Sequence, residues 1–117
     1  MNAGHAPEPL LVRANGETET LRSGGVPLGI MPDVTYPIDN LEMRPGDYIF
    51  LCSDGVTETM DGDGNEFGED RLNSLLISKA GEPPPVVRRA VEESLETHAA
   101  GAPQPDDLTL VIIQRQP

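Results

Sequence analysis

The sequence predicts an α+β fold: a mostly antiparallel sheet in which two consecutive helices precede the last strand. Three observations carry this. An Asn15-Gly16 pair separates two short extended segments, Tyr48-Ile49-Phe50-Leu51-Cys52 is an unbroken apolar run, and two helical stripes stand in succession before a final apolar segment.

Residues 9–14 and 17–22 flank Asn15-Gly16, and Asn-Gly is the strongest two-residue hairpin signal because both positions tolerate positive φ. Residues 23–29 are too rich in glycine for regular structure. In residues 34–41, Val34, Tyr36, Ile38 and Leu41 alternate imperfectly around Pro37, which predicts an edge strand or a bulge. Arg44-Pro45-Gly46-Asp47 is a turn. The run at residues 48–52 fits a strand buried on both faces, and it stops at Ser53-Asp54-Gly55. A polar loop at 61–68 leads to a helix over 69–79, with Leu72, Leu75 and Leu76 on one stripe. Pro83-Pro84-Pro85 opens a second helix over 86–97, which turns Val87, Ala90, Val91 and Leu95 to one side. Proline is tolerated there because a first-turn N–H has no helical partner. A linker at 99–105 precedes the last strand, 108–114.

Composition narrows the function. With 37% hydrophobic but only 3% aromatic residues in a chain of 117, the core must be mostly Leu, Val and Ile. Twenty acidic against eight basic side chains give a net charge of −12, which repels nucleic-acid phosphates and anionic membranes, so neither is expected as a partner. One cysteine, Cys52, makes no intrachain disulfide. No apolar run approaches the ~20 residues of a membrane span. The segment from Met1 to His5 lacks the basic and apolar regions of a signal peptide, so the expected location is cytoplasmic.

The chemistry gathers at two strand ends. Asp54 follows the 48–52 strand, while Asp106 and Asp107 precede the last one. If these strands are antiparallel neighbours, the carboxylates meet at one edge of the sheet. Carboxylate oxygens are the hard donors that Mg²⁺ or Mn²⁺ prefer. The plainer reading is that Asp-Gly makes a turn and an Asp before a strand caps a loop.

Six pieces occur in order: Asn2-Ala3-Gly4-His5-Ala6-Pro7, Gly25-Val26-Pro27-Leu28-Gly29, Leu41 with Pro45-Gly46-Asp47, Ser53-Asp54-Gly55-Val56-Thr57-Glu58, Phe67-Gly68 and Asp106-Asp107-Leu108-Thr109. Together they resemble the stage II sporulation E branch of the PPM-type (type 2C) serine/threonine protein phosphatases, over nearly the whole chain. The resemblance implies a four-layer α-β-β-α sandwich, with residues 1–117 as the C-terminal, incomplete portion of the domain. It also implies a two-metal site of Mn²⁺ or Mg²⁺, whose bound water attacks phosphorus without a covalent phospho-enzyme. By motif position Asp54 and Asp106 match metal ligands, with Asp107 as the alternative to Asp106, and His5 matches a structural position. The implied substrate is phosphoserine or phosphothreonine on a regulatory protein of the anti-anti-sigma kind. The family's first-half aspartates have no counterpart here, so the chain alone is expected to have little or no activity. Half a sandwich also exposes an apolar sheet face, which predicts self-association or pairing with the missing half.

Other chemistries fit less well. Asp61-Gly62-Asp63-Gly64-Asn65 spaces oxygens like the start of an EF-hand, but Glu66 and Leu72 stand where that loop needs Gly and a bidentate Glu. A cysteine phosphatase needs an arginine six residues after Cys52, where Glu58 stands, and no G-x-S-x-G marks a serine hydrolase. A non-catalytic interaction module derived from the phosphatase fold is the alternative function.

Overall fold

In the computed structural model, residues 5, 7–22, 29, 30, 32, 33, 35, 36, 38, 40–104 and 107–117 are described. Strands β1 (Leu10–Val12), β2 (Thr18–Thr20), β3 (Tyr48–Cys52) and β4 (Leu110–Gln114) form one antiparallel sheet in the order β2-β1-β3-β4. Between β3 and β4 the chain makes a single helical turn, α1 (Asp54–Thr57), and two full helices, α2 (Glu69–Ser78) and α3 (Pro84–Ala99). The α+β class and the two helices before the last strand are as the sequence predicts.

The period-two alternation of the strands sorts their side chains. Leu10 and Val12 of β1, Tyr48, Phe50 and Cys52 of β3, and Leu110 and Ile112 of β4 share one face through the pairs Leu10↔Phe50, Val12↔Tyr48, Phe50↔Ile112 and Cys52↔Leu110. Against this face pack Leu72 and Leu76 of α2 and Val87, Val91 and Leu95 of α3, spaced by three to four residues. Burying a side chain of this size contributes roughly 1.5–3 kcal/mol, so this layer dominates the stability. Helix α2 begins with Glu69 and Asp70, whose charges favour the positive end of the helix dipole. Helix α3 starts on Pro84 after an extended Pro83, and ends where Ala100 enters the left-handed region at φ 47°.

The opposite face is filled unevenly. Leu11 is fully buried, Ile49 and Leu51 are half-buried, and Val111 and Ile113 remain 49% and 52% exposed.

Two local expectations are corrected. The hairpin loop has three residues, 14–16: Arg13 N–H bonds the Glu17 carbonyl, Gly16 N–H bonds Arg13, and only Gly16 takes positive φ, at 92°. Asn15 instead uses its side chain, which accepts the Glu17 N–H at 3.0 Å. The strand expected over 34–41 is not formed by its described residues, 35, 36, 38, 40 and 41. Strand β3 already has β1 and β4 on its two edges, and Ile38 stands 72% exposed. Val34 and Pro37, expected in that strand, lie outside the described residues.

Between β1 and the end of β4 lies a buried ionic knot. Asp47 is 2% exposed, and its carboxylate accepts Arg13 Nη1 at 2.7 Å, Arg44 N at 2.8 Å and Ala14 N at 3.0 Å. Its backbone closes on β4: Arg115 N donates to the Asp47 carbonyl and Gly46 N to the Arg115 carbonyl.

Candidate metal-binding strand junction

The register of β3 against β4, Cys52↔Leu110 at its last pair, brings the exit of β3 beside the start of β4. The antiparallel neighbourhood on which the aspartate pairing depends is therefore present. Beyond the last ladder pair, Ser53 N donates to the Thr109 carbonyl at 2.9 Å, and Thr109 N donates to Ser53 Oγ at 3.1 Å. Ser53 Oγ also lies 3.5 Å from the Asp107 carbonyl.

Asp54 is the next residue. It opens α1 with its side chain exposed, while Gly55, Val56 and Thr57 behind it are buried. The turn is fastened from below: Thr57 Oγ1 donates to the Asp54 carbonyl at 3.2 Å and Thr59 Oγ1 to the Gly55 carbonyl at 2.8 Å. A buried Val56 and two hydroxyl tethers give Asp54 a rigid base. Asp107 is exposed at the start of the returning segment, and Asp106 lies outside the described residues. Among the described residues no three His, Cys, Asp or Glu side chains are grouped to hold a metal ion. Asp54 thus fits a hard divalent cation by donor type and exposure, but a complete coordination shell needs further oxygens.

Cys52, the last residue of β3, is a buried thiol. Burial, reinforced by the charges of Asp54 and Glu69, pushes it up to about 11, which keeps it protonated and inert as expected. His5 Nε2 lies 3.2 Å from the Cys52 carbonyl, so the ring engages the end of β3.

The 61–68 loop is closed on itself. The Asp61 carboxylate accepts the backbone N–H groups of Asp63 and Asn65, both at 2.9 Å, and the Asn65 amide at 3.3 Å. These bonds, with that of the Asn65 N–H foremost, hold the Asp61 carboxyl below its usual range. These bonds make the Asp61 carboxylate the internal brace of the loop.

Several anchoring residues escape sequence reasoning. Arg71 Nη1 donates to His98 Nδ1 at 2.8 Å, and His98 Nε2 reaches the Asn65 carbonyl at 2.9 Å. Because Arg only donates and a carbonyl only accepts, these partners assign a neutral imidazole with its proton on Nε2. Gln104 clamps Met60 by both backbone groups, at 2.8 and 3.1 Å. Partners 33 and 44 residues apart leave no local signal.

Known proteins share the family and the fold. The family model for stage II sporulation protein E (SpoIIE) matches residues 1–116. Protein IcfG of Synechocystis sp. is 30% identical over 115 residues, covering 98% of this chain and 18% of IcfG. The SiaA-PP2C domain of Pseudomonas aeruginosa superposes with a TM-score of 0.75 at 23% identity, over 92% of this chain and 42% of that one. A Mycobacterium tuberculosis protein carrying RsbU and RsbW domains matches with a TM-score of 0.69 at 29% identity, over 97% of this chain and 31% of that one. The chain thus spans less than half of each of these relatives. Among the described residues no helix is long and apolar enough to cross a membrane. The family match over nearly the whole chain decides its membership: the chain belongs to the stage II sporulation protein E (SpoIIE) family.

Proposed function

We propose that residues 1–117 are the C-terminal portion of a metal-dependent protein serine/threonine phosphatase domain, contributing Asp54 and Asp106 to a site for Mn²⁺ or Mg²⁺. The observation that carries this reading is the β3–β4 junction, where exposed Asp54 stands on a rigid turn one residue from the Ser53–Thr109 bonds. A divalent ion bound there would supply a water deprotonated near neutral pH and a positive charge for phosphate oxygens. The chain's own part is to hold Asp54 in place, through Val56 and the hydroxyl tethers, so that its carboxylate has little freedom to lose on binding. The substrate class is a phosphoserine or phosphothreonine regulatory protein of the anti-anti-sigma kind, acted on in the cytoplasm.

Because the donors supplied here are few, this chain alone has little or no activity. Purified chain is titrated with Mn²⁺ by electron paramagnetic resonance and assayed on a phosphoserine peptide. Weak Mn²⁺ binding that Asp54→Asn removes, with negligible turnover, is expected. Robust turnover by the chain alone, or Mn²⁺ binding indifferent to Asp54→Asn, would overturn the reading. The second reading, a non-catalytic interaction module, draws on the exposed apolar pair Val111 and Ile113.

A further inference from the structure

We infer that Ser53 is a positioning residue for the Asp54 site, its hydroxyl standing in for a backbone carbonyl in the β3–β4 ladder; this rests on the metal-binding reading above. Continuing the antiparallel pairing by one residue past Cys52↔Leu110 requires position 53 to donate an N–H to Thr109 and to accept one in return. Its N–H does donate, at 2.9 Å. Its carbonyl is turned instead into α1, where it accepts the Val56 N–H at 3.2 Å. The Thr109 N–H is left to the Ser53 hydroxyl, at 3.1 Å.

A second observation points the same way. Ser53 is the N-cap of α1, a place where serine ordinarily bonds an N–H of the following helical turn, yet its side chain makes no such bond. The hydroxyl faces across the sheet, and as the Thr109 N–H donates into it, its own proton points to the Asp107 carbonyl, 3.5 Å away. One residue thereby lets the chain leave the strand for the helix that presents Asp54 while keeping that helix pinned to the segment entering β4. Without the hydroxyl, Thr109 N–H turns to water and the two segments separate by one unsatisfied ladder position. The turn that presents Asp54 is then no longer fastened to the segment entering β4. Groups that orient a metal ligand without touching the metal commonly alter affinity by about tenfold or more.

The test uses the 117-residue chain with Mn²⁺ alone as the probe, in wild type and in Ser53→Ala, Ser53→Thr and Asp54→Asn variants. Mn²⁺ affinity is read by electron paramagnetic resonance, and the Thr109 amide by hydrogen exchange. Ser53→Ala is expected to weaken Mn²⁺ about tenfold and to speed exchange at Thr109, and Ser53→Thr to restore both. Should Ser53→Ala fail to fold, Ser53→Cys, nearly isosteric but a weak acceptor, takes its place. Unchanged Mn²⁺ affinity in the Ala or Cys variant, with wild type binding and Asp54→Asn not, overturns the positioning role alone. Wild-type chain that binds no Mn²⁺ through Asp54 overturns the metal reading and this inference with it.

Discussion

Asp47→Asn is an isosteric change at a fully enclosed carboxylate, and the structure specifies what it breaks. One carboxylate oxygen serves both Arg13 and Arg44 and the other serves Ala14 N–H. An amide must turn its oxygen to the first pair, which sets its NH₂ against the Ala14 N–H. One bond is lost, a donor faces a donor inside the fold, and the charge-assisted bond to Arg13 becomes an ordinary one. Together these amount to about 3 kcal/mol, a large share of the ~5–15 kcal/mol that holds a domain folded. Urea unfolding followed by far-ultraviolet circular dichroism at pH 7 measures the loss. Its pH dependence tests the cause. Burial pushes the Asp47 carboxyl up, but Arg13 and the backbone N–H groups of Ala14 and Arg44 outweigh it and hold the group below its ordinary 3.8. A depressed native value means that its stabilisation is complete above 3.8 and is lost as pH falls through the lower native value. The gap between wild type and variant therefore narrows below about pH 4. A penalty under about 0.5 kcal/mol at pH 7, or one that persists unchanged in acid, would refute the reasoning.

Two further outcomes follow from burial and exposure. With its thiol pushed up to about 11, Cys52 is expected to react with iodoacetamide at pH 8 roughly a hundredfold more slowly than a free thiol, and at the free rate in urea; equal rates in both states would contradict the buried position. Val111→Lys with Ile113→Lys is expected to reduce self-association seen by light scattering, because both side chains stand about half exposed on the sheet face away from the helices; a wild-type chain that remains monomeric would count against that face as the cause.

What could be read from the sequence was whatever repeats at short range. Five apolar residues in a row identify β3, and stripes such as Val87, Val91 and Leu95 identify the long helices because the 3.6-residue period recurs. The convergence of the two strand ends was legible too, since it needs only that the two most apolar strands pair. Turn α1 was not, because four residues containing a glycine show no period and form on tertiary support from Val56 and the Thr59 tether. The 34–41 segment alternates like a strand, but alternation alone does not make one, and its described residues join no ladder. The Asp47 knot and the Ser53 hydroxyl were invisible for a different reason: each depends on which residue the register sets opposite, and register is a property of the assembled sheet.

Strand β4 carries a physical statement of its own about the domain. Leu110 and Ile112 face the helices, and in a sheet wetted on its other side, positions 111 and 113 would be polar. They are Val and Ile, and the neighbouring positions on β3 and β1 are Leu51, Ile49 and Leu11, so the whole second face is apolar across three strands. A charge of −12 shows that acidic residues are plentiful in this chain, yet none of these five positions carries one. A face patterned in this way is suited to cover by another layer, as the proposed sandwich requires. It sets this second side of the sheet apart from the scattered apolar residues any surface carries.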